Sequence, residues 1–423
     1  MRTISVLLVS SLFACGTERM ASTPGDRDVG ASAPDAGSGR TDAGPRDGGE
    51  VTDGGDPHRD GGDVPRDGGD PGGCVPLPAT PITEVADAAF GIRGLVEVDG
   101  GFLVAWIRNR SMEPFNAIVT HVDAQLNRVS YGEDLGPLPD RDGQLLPAED
   151  GAWFQGVRPS LGMQRIELTK LGPSGSIEGR HTITSTTIVG SDFVRTDDGY
   201  AVSYNVGRRG HPYDRAVLQR LDTDGRPVGD PVTLIEGRGV DQLVWTGSQL
   251  GAVVLSGGTE FGLVRLDANG TTPEPVMPLV FDEAVAGPFS LAAHPDGFLF
   301  GTRLQGDERS LFRFFDAAGA PVGRAQLFGL WPVEAVYDGE VFGLAAEDFF
   351  SRGTAMQFAV AAPGQIRDVR ESALSINPTN PAAANAQIVA VDGGFVLAWL
   401  EWTFNVNPLT EPDYRVVMAR VCL

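Results

Sequence analysis

Short apolar segments, each begun by a turn that contains aspartate or glycine, recur along most of this chain. One apolar run precedes the turn and another follows it, as in residues 94–98 and 102–106 around Asp99-Gly100-Gly101. An Asp-Gly pair between two such runs predicts a β-hairpin, and a run without polar interruptions predicts a strand buried on both faces. The turns begin at Asp99, Asp150, Asp198, Gly247, Asp296, Asp338 and Asp392.

The seven turns are separated by 51, 48, 49, 49, 42 and 54 residues, which is the spacing of a repeat architecture. Two more strands complete each unit, for example an alternating segment at 216–221 and, after an Asp222–Gly225 turn, a segment at 231–234. Seven units of four short strands predict an all-β fold, a seven-bladed β-propeller over residues 74–423.

The last unit ends after its third strand, residues 415–421, so one strand is missing. Residues 77–83 match 228–233 in a Pro-apolar-Thr core, and we therefore expect this N-terminal strand to complete the last blade and close the ring. Cys74 and Cys422 would then lie side by side across an antiparallel pair and form a disulfide, since an exported protein meets an oxidising compartment. Such a long-loop crosslink stabilises by up to about 5 kcal/mol.

Residues 1–15 have the pattern of a secretion signal, with Arg2 followed by a mostly apolar run over 4–14. That run is too short for a membrane-spanning helix. Residues 12–16, Leu-Phe-Ala-Cys-Gly, resemble the lipobox of bacterial lipoproteins, which implies lipidation of Cys15 and membrane attachment through that anchor. The resemblance implies a lipoprotein of the cell envelope, while Phe13 leaves an ordinary cleaved signal as the alternative. A long tether after the anchor suits outward display, so we expect an outer-membrane lipoprotein, with the inner membrane as the alternative.

Residues 16–73 are rich in Asp, Gly and Pro and contain almost no large apolar side chains, so they predict a disordered tether. Asp-Gly-Gly-Asp recurs with a period of seven from Asp53 to Asp70. A calcium loop would need further oxygen ligands at fixed offsets, which favours a solvated linker. By the flexible-chain estimate the tether spans roughly 40 Å.

The net charge of −23 is distributed unevenly. The tether contributes −7 from 13 acids and 6 arginines, and Arg2 contributes +1, which leaves −17 for the globular part. Lys170 is the only lysine. Phosphate neutralisation needs clustered cations, so nucleic acid is excluded as the partner. We expect a monomer that binds an unknown protein or glycan.

No catalytic or metal-binding motif stands out. Ser174 matches a nucleophile motif only loosely and lies in a turn, the five histidines show no metal-ligand spacing, and Asp222–Gly225 is better explained as a turn than as a calcium loop. Trp106, Trp153 and Trp399 recur on the apolar strand and are better explained as core than as a sugar or quinone platform. The sequence predicts no cofactor and no metal site.

The connections on one face of the predicted propeller are tight, whereas those on the opposite face vary in length and carry Arg and aromatic residues. Such loops are usual places for binding. The alternative is that they merely cover the ends of the channel. The candidate binding residues are Arg208, Arg209, His211, Tyr213, Phe349, Phe350, Arg352 and Trp402.

The segments at 99–106 and 218–229 resemble the propeller-type repeats of many bacterial exported proteins and lipoproteins, and the resemblance covers residues 74–423. Blades two and six depart from the pattern at 171–175 and 362–364. The resemblance implies a fold and little about activity. We expect a binding or scaffolding module; the rival is an exported polysaccharide lyase or hydrolase with acids such as Asp348 or Glu401, and a purely structural envelope role is a third possibility.

Overall fold

The propeller fold predicted from the repeats is confirmed by a computed structural model of the chain. It describes residues 83–87, 89–108, 115–130, 132–138, 143–160, 163–207, 213–256, 260–267, 270, 272–305, 310–328, 331–347, 356–362, 372–374, 381–403 and 413–422. These residues form seven four-stranded antiparallel sheets, the blades of a β-propeller.

The first strand of the chain, β1 (Thr83–Asp87), belongs to the last blade. Blade 1 consists of β2 (Ala89–Val98), β3 (Gly101–Arg108), β4 (Asn116–Asp123) and β5 (Glu133–Pro137). Blade 2 consists of β6 (Gly143–Ala148), β7 (Gly151–Ser160), β8 (Met163–Leu171) and β9 (Ile177–Thr186). Blade 3 consists of β10 (Ile188–Thr196), β11 (Gly199–Gly207), β12 (Tyr213–Leu221) and β13 (Pro227–Glu236).

The remaining blades repeat this arrangement. Blade 4 consists of β14 (Val240–Trp245), β15 (Leu250–Ser256), β16 (Glu260–Arg265) and β17 (Met277–Leu279). Blade 5 consists of β18 (Val285–His294), β19 (Gly297–Leu304), β20 (Ser310–Asp316) and β21 (Pro321–Phe328). Blade 6 consists of β22 (Trp331–Tyr337), β23 (Phe342–Glu347), β24 (Met356–Ala361) and β25 (Ser372–Leu374). Blade 7 consists of β26 (Pro381–Val391), β27 (Gly394–Thr403), β28 (Asp413–Cys422) and β1.

The first strand of each blade is the innermost, and these seven strands pack against one another around the central channel, with β26 against β2. A separate cluster of buried apolar side chains fills each space between neighbouring blades, seven in all among the described residues. The cluster between blades 7 and 1 joins Phe102 and Trp106 to Val396 and Met418, so the ring closes through the same kind of core as the other interfaces.

The N-terminal strand closes the ring as predicted, but its bounds differ from the expected ones. β1 pairs antiparallel with β28, with Thr83 opposite Met418 and Asp87 opposite Arg415. Only Thr83 of the predicted segment 77–83 belongs to a described strand. Residues 77–82 lie outside the described residues, so the difference concerns the end of the strand: pairing with β28 continues to Asp87, which the Pro-apolar-Thr match to blade 3 could not show.

The recurrence of Asp-Gly at the start of the second strand has a steric cause. Gly199 opens β11 next to the end of β12, and a Cβ atom there would lie 2.2 Å from the carbonyl oxygen of Leu221. Any side chain would therefore push the two strands apart. Gly101, Gly151 and Gly297 occupy the same position in their blades and show the same close approach to a carbonyl oxygen.

Antiparallel pairing throughout each blade divides its connections between two faces of the ring. The turns from first to second and from third to fourth strands lie on one face, which we call the turn face. The second-to-third connections and the links between blades lie on the other, the loop face. Within the described residues, no helix is long and apolar enough to span a membrane.

Candidate functional site

The structure locates two of the eight predicted loop-face residues. Tyr213 begins β12, is partly buried, and lies so close to Gly239 that a Cβ atom there would be 2.5 Å from its ring. Trp402 lies on β27 with Tyr414 as its ladder partner. The others fall outside the described residues: Arg208, Arg209, His211, Phe349, Phe350 and Arg352.

The cysteine predictions also fall partly outside the described chain. Cys422 ends β28 opposite Gly394, whereas Cys15 and Cys74 are not among the described residues. Lipidation of Cys15 and the Cys74–Cys422 disulfide therefore stay predictions.

Several sequence interpretations of individual residues can be checked directly. Trp153 and Trp399 are fully buried and Trp106 is nearly so, which confirms them as core. The carboxylate of Asp222 accepts the N–H of Arg226 at 2.8 Å within a turn, as predicted. Glu401, suggested as an acid at the channel mouth, is 2 % exposed and lies opposite Arg415 on the next strand, so it does not present a carboxylate to solvent.

The innermost strand of each blade is the edge of its sheet, and some of its N–H groups lack a partner strand. Side chains from the preceding blade supply acceptors. The N–H of Phe193 in blade 3 donates to Oε1 of Gln144 in blade 2 at 2.9 Å, and the N–H of Leu243 in blade 4 donates to the carboxylate of Asp192 in blade 3. Polar side chains of the channel therefore tie neighbouring blades together.

A second row of such contacts lies nearby. Nδ2 and Oδ1 of Asn205 bond the carbonyl oxygen and the N–H of Val240, each at 2.8 Å, across the interface of blades 3 and 4. At the closure of the ring, Oδ1 of Asn385 accepts the N–H of Ile92 at 3.0 Å. Asn385 itself adopts a positive φ of 58°, a conformation that asparagine tolerates better than most residues.

Three acids of the inner strands have strongly perturbed pKa values. Burial raises the pKa of Asp192 to about 7 and that of Asp241 to about 6. Burial, together with the charge of Asp192, raises the pKa of Glu334 to about 8. Nε2 of Gln387 donates to Oε2 of Glu334 at 3.3 Å. The charge of Asp192 in blade 3 therefore acts on Glu334 in blade 6, and the raised pKa values favour the protonated forms of both acids into the neutral range.

A different polar cluster lies in a cleft of roughly 230 Å³ between blades 1 and 2. We call it the arginine cleft. Its deepest residue is Arg158 of β7, which is 4 % exposed. Its Nη1 and Nη2 donate to the carbonyl oxygens of Pro137 and Leu135 in blade 1, at 2.7 and 2.8 Å. The lining residues are Asp134, Leu135, Gly136, Pro137, Arg158, Arg165, Glu167 and Arg180.

Glu167 is the centre of this cluster, and its side chain is almost fully buried. Its carboxylate lies 3.5 Å from Nε of Arg158, 3.0 Å from Nη2 of Arg165 and 2.8 Å from Nη1 of Arg180. Arg158 is buried, whereas the side chains of Arg165 and Arg180 are 41 % and 40 % exposed. Burial lowers the pKa of Arg158, and the charge of Glu167 opposes this effect.

Part of the cleft lies near the loop face, whereas Arg180, the fourth residue of β9 (Ile177–Thr186), is nearer the turn face. Arg158 and Arg165 flank the connection between β7 and β8, and Pro137 ends β5 before the link to blade 2. The loop-face binding site stays a prediction, and none of the residues that line the cleft was among the candidate binding residues. Sequence patterns could not find them, because Arg180 and the carbonyl of Leu135 come from strands of two different blades.

The polar residues of the channel follow a pattern that can be recognised in the sequence. Gln144-Leu145, Asp192-Phe193 and Gln387-Ile388 each place a polar residue before an apolar one on the innermost strand, opposite the second strand at comparable ladder positions. A search of the described residues for three or more His, Cys, Asp or Glu side chains that could hold a metal ion finds no such group.

No protein-family model and no curated protein matches the chain. Among solved structures, the crystal structure of polysaccharide lyase Uly1 is similar with a TM-score of 0.51 and 10 % identity, covering 78 % of this chain and 90 % of that one. At this identity the likeness shows the propeller fold alone.

Two further structures match more weakly. A chain of the Mitotic Checkpoint Complex gives a TM-score of 0.48 at 12 % identity, covering 81 % of this chain and 93 % of that one. A protein of unknown function from Dyadobacter fermentans DSM 18053 gives 0.44 at 12 % identity, with coverages of 80 % and 99 %.

Proposed function

We propose that this chain is an exported lipoprotein, anchored through Cys15 and held by the 16–73 tether, whose propeller binds a glycan or protein partner through its loop face. The propeller is a rigid scaffold, because every blade interface has its own apolar core. Binding residues commonly lie in loops that such a scaffold positions.

The single observation that carries the proposal is the difference between the two faces. On the turn face the strands approach so closely that only glycine fits at Gly199 and its equivalents. On the loop face, the connections at 208–212, 348–355 and 404–412 differ in length and sequence, and Arg158 and Arg165 of the arginine cleft flank the connection between β7 and β8. The turn face also has long connections, between β4 and β5 and between β16 and β17, so the contrast lies in its short first-to-second turns and in the arginine and aromatic residues of the loop-face sequences. Binding residues commonly lie in such loops.

The test uses the full chain to capture partners from envelope extracts. We expect Arg208→Gln, Arg209→Gln, Phe350→Ala and Trp402→Ala to weaken capture without a change in melting temperature, because they remove interface anchors rather than core. Arg226→Gln, on the turn face with its side chain 66 % exposed, is the matched control. Undiminished capture by all four loop variants would contradict the proposal.

The anchor is tested separately. Cys15→Ser should move the protein from the detergent phase to the aqueous phase and remove the acyl mass, because stable attachment depends on the lipid chains. A protein that partitions into detergent equally well with serine at this position would refute lipidation. Counting free thiols in denatured, unreduced protein tests the Cys74–Cys422 disulfide, and two free thiols besides Cys15 would refute it.

The alternative function is an exported lyase or hydrolase that acts on polysaccharide. Asp192 and Glu334 favour it, because two carboxyl groups with raised pKa values in one channel are the kind of pair that acid–base chemistry uses. A fold shared with a polysaccharide lyase is compatible with this alternative. A glycan panel assayed for product release distinguishes the two functions: release that Asp192→Asn and Glu334→Gln abolish would establish the enzyme.

A further inference from the structure

The arginine cleft has an excess of positive charge in an acidic protein. Its lining contains three arginines and two acids, Asp134 and Glu167, so its formal charge is +1. The globular region as a whole has a charge of −17. An excess of one sign in a cleft walled by protein favours an ion of the opposite sign at close range.

The three arginines have different roles. Arg158 is buried and its two Nη groups bond the carbonyls of Leu135 and Pro137 in blade 1, so it joins the blades. Arg165 uses Nη2 for Glu167, and Arg180 uses Nη1 for Glu167 and Leu135. Among the described residues, no hydrogen bond uses Nη1 of Arg165 or Nη2 of Arg180. These groups can donate to a ligand.

Guanidinium groups suit a planar carboxylate, because their parallel N–H donors match its two oxygens. Glu167 already demonstrates this preference inside the cleft. A second carboxylate, bound from the solvent side between Arg165 and Arg180, would complete an alternating arrangement of charges. Its negative charge would also balance the excess of +1.

The size of the cleft limits the ligand to a small unit. Its volume of roughly 230 Å³ is below the usual range for drug-sized ligands. Protein interfaces need a large patch with apolar anchors. Beside the cleft, the described residues offer Met163, which is 49 % exposed and lies two positions before Arg165 on the same face of β8. One methionine can pack against the C–H face of a sugar ring, but it does not make an interface core.

We propose that the arginine cleft binds the carboxylate of an acidic sugar unit, held by Arg165 and Arg180, as part of an anionic polysaccharide. This inference rests on the proposed function and narrows its partner from a glycan or protein to a uronate-containing glycan. Arg158 and Glu167 position the two binding arginines and do not contact the sugar.

The experiment titrates the full chain with trigalacturonate by calorimetry. The comparison ligand is the same trimer with its carboxyl groups methyl-esterified, which keeps the size and removes the charge. We expect binding to the acid that weakens with salt and no binding to the ester. Arg165→Gln and Arg180→Gln should each reduce affinity at least ~10-fold, since each removes a charge-assisted hydrogen bond. Arg226→Gln should bind normally.

Three outcomes would overturn the inference: the ester binds as tightly as the acid, the double Arg165→Gln, Arg180→Gln variant retains affinity, or a poly-glutamate peptide competes as well as the sugar. Citrate, a free carboxylic acid, is a further probe. Displacement of the trimer by citrate that requires Arg165 and Arg180 supports recognition of a carboxylate by these two arginines. A failure of trigalacturonate to bind, in protein whose partner capture depends on Arg208 or Trp402, would support the proposed function and refute only the inference that the cleft binds a uronate.

Discussion

The arginine cleft and the central channel each contain a glutamate removed from bulk water, and the two glutamates have opposite surroundings. Glu167 lies within 3.5 Å of three guanidinium groups. Glu334 lies near another acid and receives a hydrogen bond from the amide of Gln387. The difference shows that this propeller joins its blades in two ways. In the cleft, Arg158 and Arg180 are held by Glu167 of the same blade and donate to carbonyl oxygens of blade 1. In the channel, amide and carboxyl side chains make hydrogen bonds across the blade interfaces.

The two arrangements respond differently to change. Removing one partner of a buried ion pair leaves an uncompensated charge, whereas a buried acid with a raised pKa can take up a proton. Substitutions in the cleft should therefore lower the free energy of unfolding at all ordinary pH values. Substitutions in the channel should change how stability depends on pH.

The largest effect is expected from Glu167→Gln, which keeps the shape of the side chain and removes its charge. Arg158 is 4 % exposed, and without the charge of Glu167 its buried guanidinium keeps two carbonyl groups and the charge of Asp134, whose side chain is 44 % exposed. We expect a loss of about 3 kcal/mol in the free energy of unfolding, measured by urea denaturation. Asp224→Asn, in the exposed Arg226–Asp224 pair, should cost less than about 0.5 kcal/mol. Equal losses of unfolding free energy in Glu167→Gln and Asp224→Asn would show that the buried cluster contributes no more to stability than an exposed ion pair.

The channel predicts an unusual dependence on pH. The pKa values of Asp192 and Glu334 rise from 3.8 to about 7 and from 4.5 to about 8 on folding. The folded state therefore holds more protons than the unfolded state between these values. The stability from these groups is complete below pH ~4 and is lost as the pH rises through about 7 and about 8.

We expect wild type to lose on the order of 3 kcal/mol of unfolding free energy between pH 5.5 and pH 9, treating the two acids as a coupled pair. Asp192→Asn removes one titrating group and its charge on Glu334, so the loss should fall by about half. Urea denaturation at several pH values measures this slope. An unchanged slope in Asp192→Asn, with Asp224→Asn as the surface control, would show that the channel acids are already ionised.

Removing the Asn205 contact between blades 3 and 4 should lower the free energy of unfolding less than removing the charge of Glu167 in the cleft. Asn205→Ala leaves the N–H and the carbonyl oxygen of Val240 without the two 2.8 Å hydrogen bonds they now have. Leaving buried backbone groups unpaired should cost about 2 kcal/mol, at every pH. A loss that varies with pH as steeply as the Asp192 effect would mean that Asn205 acts through the channel acids instead.

The fold could be predicted from the sequence because its cause is local and repeated. Gly199 and its equivalents are needed for the close approach of two strands, and this need appears as Asp-Gly in most units. The cleft could not be predicted, because the contact between Arg180 and Glu167 depends on how β9 pairs with β8, and the contact between Arg158 and Leu135 on how blade 2 packs against blade 1. The end of β1 at Asp87 was missed for a similar reason: pairing with β28 sets it, and the local residue types do not.

The smallest effect on stability is expected within the cleft itself. Arg165 and Arg158 both contact Glu167, but Arg165 is 41 % exposed and its ion pair is screened by water. Arg165→Gln should therefore lower the free energy of unfolding by less than about 0.5 kcal/mol, whereas Arg158→Gln should cost several times more because it also removes hydrogen bonds to two carbonyls. Urea denaturation of the two variants gives the comparison. If Arg165→Gln destabilises as much as Arg158→Gln, its guanidinium is a structural group like that of Arg158, and it cannot serve as a donor held ready for a ligand.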